Sequence, residues 1–210
     1  MGQQIDLIVG LGNPDPQYLT TRHNAGFWFV DLLAGQHGAS FAAQKKLFGE
    51  TAEVRIVEQR IRLLKPSTYM NESGRSVAAA VNFYKIPSEH VLIVYDELDL
   101  QPGRVQLRFD GGHAGHNGMR SIIEHVGAKF WRLRLGVGRA DPSRPDQGVP
   151  HVLRRASADE EQLVIDSIRD GIQALPILLE EGAERAKNQL HARKVAPDES
   201  EEAGQGEPEQ

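Results

Sequence analysis

One histidine, a short run of carboxylates and three asparagines carry the chemistry that this sequence offers. His23 lies in Thr21-Arg22-His23-Asn24-Ala25-Gly26, just ahead of a segment with helical spacing. Asp96, with Glu97 and Asp99 behind it, follows the most apolar run of the chain, His90–Tyr95 (HVLIVY). Asn13 stands in Gly10-Leu11-Gly12-Asn13-Pro14, and Asn71 in Tyr69-Met70-Asn71. Asn117 closes the glycine-rich stretch Gly111–Gly118, which also holds His113 and His116. An imidazole oriented by a carboxylate activates water without a covalent intermediate. Amide side chains both donate and accept, which suits peptide groups and a developing oxyanion. Water attack assisted by one base is sufficient for an activated ester. Other chemistries drop out, because the chain has no cysteine and no G-x-S-x-G elbow. The first glycine cluster is no dinucleotide fingerprint, since Asp15 takes the place of the third glycine. Each cluster also has a purely structural reading: Asn24 as a helix N-cap, Gly10 and Gly12 as turn residues, Met70 as core. His113 and His116 with a carboxylate form a third possibility, a metal site.

These residues need elements to carry them. Ile5–Leu11 reads as a buried strand, Ala25–His37 as a helix, and Glu53–Val57 with Ile61–Lys65 as paired strands. A helix opens at Ser73 or Gly74, and His90–Tyr95 is the strongest strand. Arg104–Phe109 alternates, Gly111–Gly118 is a loop, Ser121–Val126 is helical, and Leu133–Gly138 is a last strand. Ala158–Leu190 is helical in period, with a break or kink expected at Pro176. Alternating strands and helices imply an α/β fold in one domain, a twisted mixed and largely parallel sheet flanked by helices. Ligands of such sheets gather at the carboxyl ends of the strands, and the candidate residues all fall at expected strand ends or in loops. Four glycines in one short loop are costly in conformational entropy, which suggests close approach to its backbone.

The domain is expected to span residues 1–194, with 195–210 as a disordered acidic tail. The formal charge of −5 misleads: six of the 29 Asp and Glu lie in residues 198–210, which hold no Lys or Arg. Residues 1–197 are therefore near neutral, and residues 101–155 carry ten Arg or Lys against four Asp or Glu. A local basic surface for phosphates follows. No apolar run approaches the roughly 20 residues of a membrane span, and the N-terminus lacks an export signal, so a cytoplasmic location is expected.

In order and spacing, GLGNP with Tyr18 and TRHNAG, Pro66–Gly74, Asp96–Gly103, Gly111–Gly118 and Arg132–Arg139 (RLRLGVGR) resemble the bacterial-type peptidyl-tRNA hydrolases. The resemblance covers Ile5 to His191. It implies that His23 takes a proton from the attacking water and that Asp96 keeps His23 in its basic form. It implies that Asn13 separates N-blocked from free aminoacyl groups, and that Asn71 and Asn117 bind the peptidyl backbone. Tyr18, Tyr69 and Met70 would line the cleft for the tRNA 3′ end, His116 would contact substrate, and Arg108 and Arg134 would meet phosphates. No metal or cofactor is implied. The expected partner is peptidyl-tRNA, through its 3′ end and acceptor arm, and the expected state is a monomer. Two departures stand out: Tyr69 where many relatives have Phe, and Gln106 where some have Lys. A catalytically silent RNA-binding protein on the same fold is the main alternative.

Overall fold

The computed structural model describes residues 1–139 and 148–192; the expected tail, 195–210, lies outside the described residues. The seven strands among them form one sheet: β1 Leu7–Gly10, β2 Ala42–Gln44, β3 Gly49–Ile56, β4 Gln59–Pro66, β5 Val91–Glu97, β6 Val105–Phe109 and β7 Trp131–Gly136. Their order across the sheet is β2-β3-β4-β1-β5-β7-β6. The ladders β4-β1, β1-β5 and β5-β7 are parallel. The outer ladders, β2-β3, β3-β4 and β6-β7, are antiparallel. The sheet is mixed, as expected, but not largely parallel: three of its six ladders are antiparallel, and its parallel character is confined to the centre.

The centre is parallel because its strands are covered on both faces. All seven residues of β5 are buried, and their alternation feeds two cores. Leu92 and Val94 join Ile8 under α1 (Ala25–Gln36) and α5 (Ala158–Glu180). Val91, Ile93 and Tyr95 join Leu7 and Val9 under α2 (Ser73–Tyr84) and α3 (Asn117–Val126). A continuous apolar run is what a two-sided parallel strand requires. Asp96 and Glu97 occupy the last two positions of β5, inside the strand where the sequence places them just beyond it. The alternation puts Asp96 on the α1 face and Glu97 on the other.

Two expectations change, and two elements were not expected. The helix after the glycine-rich loop begins four residues earlier than Ser121, at Asn117. Pro176 does not break the long helix: α5 continues to Glu180, and Gly182, at φ +97°, turns the chain into α6 (Ala183–Ala192). Proline removes one backbone donor, and here Leu175, Leu178 and Leu179 around it are buried in the core, which holds the helix together. A short helix, α4 (Gly148–Val152), and the edge strand β2 carry no periodic signal of their own. No described helix is long and apolar enough to cross a membrane.

Candidate active site

The loops at the carboxyl ends of β1 and β5 and the N-termini of α1 and α3 meet at one place, and backbone packing fixes how closely. A Cβ on Gly26 would lie 2.3 Å from the carbonyl oxygen of Val94 and 2.4 Å from the nitrogen of Leu11. Only glycine lets the start of α1 sit directly on β1 and β5. That contact delivers His23, three residues upstream, to the end of β5.

There His23 Nδ1 lies 2.9 Å from both carboxylate oxygens of Asp96. An ionised carboxylate only accepts, so Nδ1 carries the hydrogen and Nε2 is left as the basic nitrogen. His116 approaches the same carboxylate from the other side, its Nε2 at 3.1 Å from Oδ1. Its Nδ1 accepts the backbone N–H of Met119 at 3.2 Å, capping α3. With Nδ1 accepting, the hydrogen that His116 directs at Asp96 is the one on Nε2. Burial by itself would push the Asp96 carboxyl up, yet His23 and His116, by charge and hydrogen bond, hold it well below the usual carboxylate range. Burial would lower His23, but the charge and hydrogen bond of Asp96 outweigh it and raise its pKa above the ordinary value. The site thus holds a buried anion that favours protonation of the imidazole beside it. A hollow of about 40 Å³, walled by His23, Asp96, Leu98, His116, Asn117 and Val152, adjoins the pair. That volume admits water.

The asparagines divide by what holds them. Asn13 Oδ1 accepts the N–H of Met70 at 2.8 Å, which orients the amide and leaves Nδ2 as its donor. Asn24 is missed by sequence reasoning. It sits at the N-cap position of α1 but makes no capping bond with its side chain. Instead its Oδ1 accepts the N–H of Asn13 at 2.9 Å, and its Nδ2 donates to the Asn13 carbonyl at 3.0 Å. Asn24 is wholly buried and clamps the Asn13 backbone from both sides. Only the adjacency of Asn24 to His23 hints at this in the sequence. Asn71 lies exposed in a 3-10 turn, and Asn117, half-buried, opens α3.

Met70 is buried, and a Cβ on Gly118 would come within 2.5 Å of its Sδ and 3.1 Å of His116 Cε1. The close approach expected at the glycine-rich loop is made, at Gly118, by this chain's own Met70. Further along that loop, the buried guanidinium of Arg132 donates to the carbonyls of Gly111 and Gly112. Asn13, Met70, His116, Asp96 and His23 therefore form one connected set, with Asn71 and Asn117 beside it in the chain. Tyr69 is half exposed and donates its hydroxyl to Asp15 at 2.9 Å; Tyr18 is half-buried near it.

The two expected phosphate contacts differ. Arg108 is exposed on β6. Arg134 is engaged instead: Nε and Nη2 reach Glu97 Oε2 at 2.9 and 2.8 Å, and Nη1 donates to Gln106. Its side chain is 14% exposed. Arg22, beside His23, is also committed, donating to the carbonyls of His151, Arg154 and Arg155 and to Glu160 at 2.7 Å. It fastens the segment that brings Val152 to the hollow.

Donor atoms of His23, Asp96 and His116 lie within 4.8 Å of one another, so among the described residues they form a group that could hold a metal. His113, considered from sequence, is not part of it; its Nδ1 accepts the N–H of Gly115. In the cluster every nitrogen that faces Asp96 already donates to it. What the arrangement offers chemically is one basic imidazole nitrogen, a buried orienting carboxylate, amide donors and room for water.

Comparison with known proteins bears on what this serves. The family model for peptidyl-tRNA hydrolase matches residues 7–198. The peptidyl-tRNA hydrolase of Xanthomonas euvesicatoria pv. vesicatoria is 49% identical over 189 residues, 90% of this chain and 97% of its own length. That of Stenotrophomonas maltophilia is 50% identical over 189 residues, with the same coverage. Among solved structures, peptidyl-tRNA hydrolase in complex with N-propanol superposes with a TM-score of 0.88 at 42% identity, covering 93% of this chain and 99% of that one. The Acinetobacter baumannii enzyme gives 0.85 at 42% identity, covering 92% of this chain and 98% of its own.

Proposed function

The chain belongs to the peptidyl-tRNA hydrolase family, and from that premise we propose that it hydrolyses the ester joining a peptide to tRNA with His23 as base. The observation that carries the reading is the His23–Asp96 pair, with Nδ1 bound to the carboxylate and Nε2 left to act. His23 Nε2 takes a proton from water, and the hydroxide so formed attacks the ester carbonyl carbon. The tetrahedral oxyanion meets amide N–H donors from Asn71 and Asn117. Collapse breaks the bond to the ribose oxygen, which recovers the proton from the His23 imidazolium. Asp96 stabilises that imidazolium and stays ionised. No metal or cofactor enters a step.

Asn13 supplies selectivity. With Oδ1 committed to Met70, it offers donors. A peptidyl or N-acyl amide carbonyl accepts them, whereas the free ammonium of an aminoacyl group is itself a donor and is turned away. Tyr18 and Tyr69 give the terminal bases a stacking surface, and Met70 closes the apolar wall. The acceptor-arm phosphates fall to Arg108; Arg134 joins them only by leaving Glu97. The protein acts as a monomer, in the cytoplasm, freeing tRNA for translation.

The test is hydrolysis of N-acetyl-aminoacyl-tRNA in the presence of a chelator. Turnover by the wild type that His23→Ala abolishes, with folding intact, is the expected result. Failure of the wild type to hydrolyse, with or without added metal, would leave a silent RNA-binding protein.

A further inference from the structure

The family resemblance makes His116 a substrate contact, but both of its ring nitrogens are spent inside the protein. Nε2 donates to Asp96 and Nδ1 accepts the Met119 N–H. The ring lies edge-on to Tyr95 and tilted against His23, with centroids 5.0 and 4.9 Å away. Its side chain is 9% exposed. A group so placed offers a substrate little beyond a carbon edge.

Two imidazoles therefore flank one carboxylate, and they are not equivalent. His23 Nε2 has no hydrogen-bond partner among the described residues, so His23 can accept a proton at no cost to its bond with Asp96. His116 has no such open nitrogen, because its Nδ1 is occupied by the Met119 N–H that it caps. We propose that His116 is a positioning residue: anchored at Nδ1 by the α3 cap, it holds Asp96 square to His23, the imidazole whose second nitrogen is left open to take the proton from water. One oxygen of Asp96 receives both imidazoles while the other faces His23 alone. That arrangement keeps both oxygens at the same distance from Nδ1. The inference rests on the reading of His23 as the base.

His116→Asn separates the roles. Asparagine is among the preferred N-caps and keeps an acceptor where Nδ1 stands, but it is too short to donate to Asp96. The expected result is a melting temperature within a few degrees of wild type, an unchanged KM for N-acetyl-aminoacyl-tRNA, and a kcat reduced about tenfold, the factor of one charge-assisted hydrogen bond. His116→Gln, whose amide nitrogen reaches the position of Nε2, recovers part of kcat. Adding His116→Asn to Asp96→Asn causes no further loss, since both act through one carboxylate. A wild-type kcat in His116→Asn, a raised KM at unchanged kcat, or additive losses in the double variant would each overturn the proposal. If Asp96→Asn alone retains wild-type kcat, the failure belongs to the His23–Asp96 reading itself.

Discussion

Asn24 offers the sharpest quantitative test, because all that its side chain does is on view. Replacing it by alanine removes two buried hydrogen bonds to the Asn13 backbone, at 2.9 and 3.0 Å. Each contributes about 1 kcal/mol net, and leaving the Asn13 N–H without a partner adds about 1 kcal/mol or more. The sum is about 3 kcal/mol. For a domain of this size about 1 kcal/mol moves the melting temperature by roughly 2–4 °C, so Asn24→Ala should melt roughly 6–12 °C below wild type. Asn24→Asp should fare worse, because a buried carboxylate oxygen would then face the Asn13 carbonyl that now receives a donor. The functional consequence follows from the same contacts. With its backbone unclamped, Asn13 no longer presents its amide in one orientation, and preference for N-acetyl-aminoacyl-tRNA over free aminoacyl-tRNA should fall about tenfold. Circular dichroism melts and paired kcat/KM values on the two substrates read both effects. A melting temperature within 2 °C of wild type would refute the clamp. A large loss of stability with undiminished preference would refute its link to selectivity.

Three further outcomes follow from other contacts. Arg22→Ala leaves three carbonyls and Glu160 without their shared cation and should cost about 3 kcal/mol, the lower end for a broken buried pair because Glu160 is partly exposed; a melting temperature unchanged to 2 °C would contradict this. Arg108→Ala should weaken tRNA binding and lower the slope of log affinity against log salt by about one, and an unchanged slope would move the phosphate contact elsewhere. The stabilising effect of Asp96 should depend on pH at both ends. Its folded pKa is depressed, so its contribution is present above the unfolded value near 3.8 and lost as pH falls. That of His23 is raised, so the pair's contribution is full below about 6.5 and fades as pH rises through the folded value. The stability gap between wild type and Asp96→Asn, from urea unfolding, should thus be larger at pH 5 than at pH 9; equal gaps would contradict the coupling.

What was legible in the sequence was the part that local pattern encodes. HVLIVY announces a strand buried on both faces, so Asp96 at its end had to fall at the rim of the sheet, and TRHNAG ahead of a helix had to fall nearby. The family motifs carried the same residues in order. The contacts that organise the site were not legible, because they join residues far apart in the chain for reasons of shape. Asn24 reaches 11 residues back to Asn13, and nothing in its neighbours distinguishes that bond from an ordinary helix cap. Arg22 finds its carbonyls more than 125 residues away. Arg134 looked open to phosphate until Glu97, on the adjacent strand and the same face, took its guanidinium. Pro176 looked like a helix breaker because propensity is local, whereas the packing of α5 against the sheet is not.

The pH dependence of kcat/KM in wild type and Asp96→Asn tests the central claim most directly. If His23 is the base and Asp96 holds its proton, the rate rises with pH through a midpoint above 6.5 in the wild type. In Asp96→Asn the carboxylate no longer opposes burial, so the midpoint drops below 6.5 while the plateau falls. A midpoint that stays in place when the carboxylate is removed would contradict the account.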